Sequence, residues 1–114
     1  MSGKLASSIV AGALLKRAEA KGGFGMVLAK GDPASGTIIL VILDHEGGDA
    51  LVLERLLDLN GGYSWRSSGS AKGIKRDKVP SFVAGRLRFD ADSWILELDV
   101  PFAQRFAAEI TASG

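Results

Sequence analysis

The run Thr37-Ile38-Ile39-Leu40-Val41-Ile42-Leu43 limits the fold more than any other feature of this chain. It is β-branched, uninterrupted and ended by Asp44, so it reads as a strand. Side chains alternate along a strand. One sheet face therefore receives Thr37, Ile39, Val41 and Leu43, and the other receives Ile38, Leu40 and Ile42. Both sets are apolar, whereas an antiparallel meander commonly shows one face to water. The sheet that holds this run needs cover on both sides. Helices of the same chain or a second subunit must supply it, and a homodimer is the expectation that follows.

A chain of 114 residues is long enough to bury such a core as a single domain, residues 1–114. It has no cysteine, which excludes disulfides and thiolate metal sites and favours a cytoplasmic protein. The net charge of +1 gives no general pull toward nucleic acid or acidic membranes. No apolar run reaches the roughly 18 residues of a membrane span, so no membrane partner is expected. Lys4, the apolar stretch Leu5 to Leu15 and Ala18-Glu19-Ala20 have the outline of a secretory signal, but Lys16-Arg17 interrupts it.

Ala6 to Lys21 reads instead as a helix, with Ala6, Ile9, Val10, Ala13 and Leu14 as its apolar face and Gly22-Gly23 as its stop. Phe24 to Ala29 is a short strand. In the turn Gly31-Asp32-Pro33-Ala34-Ser35-Gly36, proline pre-sets one dihedral and the glycines are expected to supply unusual ones. After Thr37 to Leu43 come the turn Glu46-Gly47-Gly48-Asp49 and the segment Ala50 to Leu57, which suits strand or helix. Asn60-Gly61-Gly62 is a hairpin signal that favours strand there and for Tyr63 to Ser67. Ser68 to Lys78 is a polar loop. Pro80 opens a second helix to about Leu87, Trp94 to Val100 is a fifth strand, and Pro101 opens a last helix with Phe102, Phe106 and Ile110 on one stripe. The fold class is α+β: an antiparallel sheet of about five strands, with an N-terminal helix, a helix before the last strand and a short C-terminal helix. The turns between strands are too short for crossover helices, which predicts a meander.

Two segments carry a resemblance. Leu5-Ala6-Ser7-Ser8-Ile9-Val10, with Leu14-Leu15-Lys16-Arg17 behind it, and Arg86-Leu87-Arg88-Phe89-Asp90-Ala91-Asp92-Ser93-Trp94-Ile95-Leu96-Glu97 resemble the domain of unknown function 1491 family. These are small bacterial proteins of about this length, seen mainly in alphaproteobacteria. The resemblance spans most of the chain in order and length, while Ser67 to Lys78 is particular to this sequence. It implies a small cytosolic bacterial protein and carries over no activity, ligand or catalytic residue.

Candidate chemistry is sparse. His45, the only histidine, sits in Asp44-His45-Glu46 and is the one candidate for a catalytic base. Adjacent residues on an extended chain point apart, so the three do not converge, and a solvated turn is the expected reading. Asp90-x-Asp92 has too few oxygens for a calcium loop and reads as a capped turn, paired with Arg86 or Arg88. Arg66, Lys72, Lys75, Arg76 and Lys78, with Tyr63 and Trp65 upstream, have the composition of a single-strand nucleic-acid or anion site. That site needs the rings exposed, and Tyr63, Trp65 and Ser67 share one strand face, opposite Ser64 and Arg66. Gly69-x-x-x-Gly73 lacks the order of a phosphate loop, and no cofactor or metal is expected. The leading expectation is a non-enzymatic module acting by association with itself or another protein. A nucleic-acid or anion-binding module using residues 66–78 is the alternative, and an enzyme using His45 the second.

Overall fold

The computed structural model describes residues 6–57, 59–67 and 73–113. Helix α1 (Ser7–Ala20) is followed by strands β1 (Phe24–Ala29), β2 (Ile38–Asp44), β3 (Leu51–Leu57) and β4 (Tyr63–Ser67). A 3-10 turn, Arg76–Lys78, leads into α2 (Val79–Phe89), and β5 (Trp94–Val100) and α3 (Ala103–Ser113) complete the chain. The class and element order are those expected: α+β, a five-stranded and mostly antiparallel sheet, and helices at both ends and before the last strand.

The meander is corrected. The strand order is β1-β5-β2-β3-β4, so only β2, β3 and β4 follow one another as hairpins. β5 inserts between β1 and β2, antiparallel to β1 and parallel to β2. Short turns forbid parallel pairing only between consecutive strands. Between β2 and β5 lie two strands and a helix, ample chain for a parallel return. The composition of β5 suits an interior place, since Trp94, Ile95, Leu96, Leu98 and Val100 are all buried.

The loop between β1 and β2 makes room for this insertion by straddling the start of β5. Asp32 N donates to Asp92 O at 3.0 Å, Trp94 N to Thr37 O at 2.7 Å, and Trp94 Nε1 to Asp32 O at 2.8 Å. The Asp32 carboxylate organises the turn from within, accepting from Ser35 N at 2.8 Å and Ala34 N at 3.2 Å. Gly31 and Gly36 are not in the left-handed region, contrary to expectation. They are needed because the Asp92 backbone lies where their Cβ atoms would be.

This chain's own helices cover both sheet faces except along part of β1. Ile38, Leu40 and Ile42 join Leu53, Trp94, Leu96 and Leu98 under α1 and α3. Ile39 and Val41 join Val52 and Ile95 under Val79, Phe82, Val83 and Leu87 of α2. The last helix therefore shares a face with the first, not with the second. The buried face of α1 also differs from the expected one. Ser7, Ala11, Leu14 and Ala18 point inward, while Ile9 is 58% exposed. Ser7 is drawn in by long-range bonds: its hydroxyl donates to Gly36 O at 2.7 Å and accepts from Arg55 Nη2 at 3.3 Å. The small Ala11 and Ala18 let the helix sit close to the sheet.

Candidate functional site

Asp44-His45-Glu46 lies where β2 ends. Asp44 Oδ1 accepts from Glu46 N at 2.9 Å and Oδ2 from Ala103 N at 2.8 Å, which ties the turn to the first residue of α3. The Glu46 N–H, and next the Ala103 N–H, hold the Asp44 carboxyl below the usual carboxylate range, with smaller help from the charges of His45 and Arg76. The folded-state pKa is thus below the unfolded one. The stability this group contributes is full above the unfolded value and is lost as pH falls through the lowered one. Urea unfolding between about pH 2 and 5 should show this. Asp44→Asn is expected to unfold more easily at neutral pH and to lose stability less steeply on acidification than the parent.

His45 has a partner that sequence spacing does not reveal. Its Nε2 lies 3.2 Å from Asp99 Oδ1 and 3.3 Å from Asp99 O, and its N donates to Val100 O at 3.1 Å. Parallel pairing of β2 with β5 makes this contact, since Leu43 stands opposite Asp99 and Asp44 opposite Val100. Beside it a cleft of about 270 Å³ is lined by Asp44, His45, Glu46, Pro101 and Phe102. Phe102 is exposed and sits in the left-handed region at φ 55°. Among the described residues, the lining offers an imidazole and carboxylates but no hydroxyl or amine nucleophile.

Among the described basic residues, Arg66 lies on β4, while Lys75, Arg76 and Lys78 lie at the turn before α2. Trp65 packs against the α1/α3 core, and Tyr63 on the same face lies under the Arg55 guanidinium, 3.9 Å from ring centroid to Cζ. Arg66 projects from the opposite face, beside Glu54. Arg76 is a structural clamp: Nε donates to Gly48 O at 2.8 Å and Nη2 to Asp44 O at 2.6 Å. Lys75 and Lys78 are exposed, and Lys72 lies outside the described residues. Asp90 caps its own turn, accepting from Asp92 N at 3.0 Å. Arg86 pairs with Glu54 across the α2 face rather than with either aspartate, because helix packing aims it at β3. Among the described residues, no group of three or more histidines or carboxylates is placed to hold a metal ion.

The family model for proteins of unknown function, DUF1491, matches residues 5–108. The chain belongs to the DUF1491 family. Solved structures agree. A crystal structure of a DUF1491 protein from Caulobacter crescentus has a TM-score of 0.74 at 25% identity, covering 84% of this chain and 88% of that one. An NMR structure of a DUF1491 protein from the same organism has a TM-score of 0.77 at 24% identity, covering 90% and 91%. A solution structure from A. tumefaciens has a TM-score of 0.71 at 22% identity, covering 84% and 86%. No curated protein matches the chain. The resemblance read from the two terminal segments is thereby confirmed as family membership, and the family description names no activity.

One surface of this DUF1491 protein was not singled out by sequence reasoning. β1 is an edge strand. Phe24 pairs with Asp99 and Met26 with Glu97, so both project to the α2 side of the sheet. The α2 cluster reaches Ile95 but not these residues, and Phe24 is 56% and Met26 50% exposed. Val27, on the other side, is 37% exposed. Edge strands are commonly guarded by charge or proline. The opposite edge, β4, carries Arg66 and serines, whereas Phe24-Gly25-Met26-Val27-Leu28-Ala29 has neither charge nor proline. The lack of a guard is visible in the sequence, but which strand lies at the edge is not. Among the described residues no helix is long and apolar enough to cross a membrane.

Proposed function

We propose that this chain is a non-catalytic cytoplasmic module that works by binding another protein, and that β1 is its contact strand. The observation that carries the reading is the unguarded β1 edge, with Phe24, Met26 and Val27 exposed beside a sheet whose faces are otherwise largely covered. An open edge offers alternate N–H and C=O groups that an incoming strand can pair with. The packing of Trp65 on the core and the use of Arg76 as a clamp support the same choice over nucleic-acid binding, and the lining of the His45 cleft supports it over catalysis.

Site-specific photo-crosslinking in bacterial cells tests it. A benzoylphenylalanine at Met26 is expected to give a discrete adduct, while the same residue at Arg66 on β4 is not. Adding Phe24→Lys should abolish the adduct while shifting folding stability by less than about 0.5 kcal/mol, because an exposed side chain is being changed. Equal adducts from both edges, or none from position 26, would sink the proposal.

A further inference from the structure

We infer that the partner presents β1 with one extended segment in which apolar residues alternate with lysine or arginine. This rests on the association reading above and names the chemistry of the occupant. The backbone of β1 sets the mode. Its inner edge is taken by β5, and its outer edge is unpaired among the described residues. A strand added there extends the sheet and needs no side-chain pocket to form its ladder.

Charge sets the occupant. On the α2 side, the residues behind Phe24 and Met26 are Asp99 and Glu97, directly opposite them in register. Neighbouring strands lie about 4.8 Å apart, so an added strand would run about 10 Å from the β5 backbone. A lysine or arginine on that strand, reaching inward over the Phe24 and Met26 side chains, comes well within the Debye length of both carboxylates. The side chain of Asp99 is 24% exposed and contacts His45, leaving Glu97 as the carboxylate with no described ion-pair partner. An acidic segment would meet repulsion at the same place. The aliphatic stems of those lysines or arginines would cover Phe24 and Met26 on this side, and apolar residues of the added strand would cover Val27 on the other. Alternation satisfies both demands, since successive side chains face opposite sides.

A second copy of this chain fits less well. The β1 edge exposes only Phe24, Met26 and Val27, and a stable dimer buries about 800 Å² on each partner. Two copies would also bring Glu97 and Asp99 toward their own counterparts.

The test is an amide-resolved NMR titration of the full chain with short synthetic peptides. One alternates valine with lysine, one alternates valine with glutamate, and one is the lysine peptide N-methylated at alternate residues. The lysine peptide is expected to shift the amides of residues 24–29 and to bind at least about tenfold more tightly than the glutamate peptide. That preference should shrink with added salt and in Glu97→Gln, while N-methylation abolishes binding. Equal binding of both charged peptides at β1 would overturn the charge assignment yet leave the edge as the contact surface. Concentration-dependent shifts at β1 without any peptide would overturn the foreign strand in favour of a second copy. If β1 amides do not respond to any peptide or to concentration, the inference falls. The crosslinking result from position 26 then shows separately whether β1 is a contact surface of another kind.

Discussion

Gly31→Ala should be the most damaging alanine substitution among the described glycines, lowering stability by about 3 kcal/mol or more. A Cβ at Gly31 would collide with Asp92 O and lie 2.6 Å from Ser93 C and 2.7 Å from Trp94 N. All three are backbone atoms at the start of β5, so no side chain can swing away. Relief requires parting the β1–β2 loop from β5, which breaks the bond from Asp32 N to Asp92 O and that from Trp94 Nε1 to Asp32 O. Against a typical total of about 5–15 kcal/mol this is a large fraction, and a fall in Tm of about 10 °C or more is expected in a thermal melt. Gly12→Ala is the matched control. A Cβ there meets nothing within 4 Å, and the site is inside α1. It should stabilise by about 0.5–1 kcal/mol through helix propensity. If Gly31→Ala melts like the parent, the loop does not straddle β5 as described.

Ser7→Ala is expected to cost about 2–3 kcal/mol, far more than loss of an ordinary exposed hydroxyl. Ser7 is fully buried, and its Oγ satisfies the Gly36 carbonyl and Arg55 at once. Arg55 is itself 6% exposed, and no described carboxylate pairs with it. Burial pulls its pKa below the ordinary arginine value. The Tyr63 ring beneath the guanidinium and the Ser7 hydroxyl are therefore its main compensation. Removing the hydroxyl leaves a buried cation short of an acceptor, which costs more than the bond contributes. Arg55→Met removes that demand. In a double-mutant cycle read by urea unfolding, Ser7→Ala should cost about 1–2 kcal/mol less in the Arg55→Met background than alone. Additive effects would mean that the two side chains do not act together.

These two sites mark how far local reading of the chain reaches. The strands Phe24–Ala29, Tyr63–Ser67 and Trp94–Val100 lie where alternation and the glycine-rich turns place them, and Pro80 stands in the first turn of α2. The double-sided demand of Ile38 to Leu43 is also real, since one side packs under α1 and α3 and the other under α2. The expectation of a second subunit loses that motive, because α2 supplies the second cover. His45 and the basic residues were legible as residue types, but their contacts were not. His45 meets Asp99 across a parallel pairing, Trp65 turns into the core, and Arg76 spends its donors on the carbonyls of Asp44 and Gly48.

The sequence by itself determined the α+β class, the family and the order of the elements. The class and the element order follow from contacts or dihedrals within a few residues, which glycine, proline and the apolar period report directly, whereas the family shows as a resemblance carried by two segments. Tertiary structure alone decided that β5 enters between β1 and β2, that α3 joins α1, and that Ser7 faces inward. It also decided that β1, the strand without a guard, is left at the edge. The physical reason is that these outcomes depend on partners distant along the chain, such as Ser7 with Arg55 or His45 with Asp99. A strand's own residues say which of its faces must be buried, but not which strand will lie beside it.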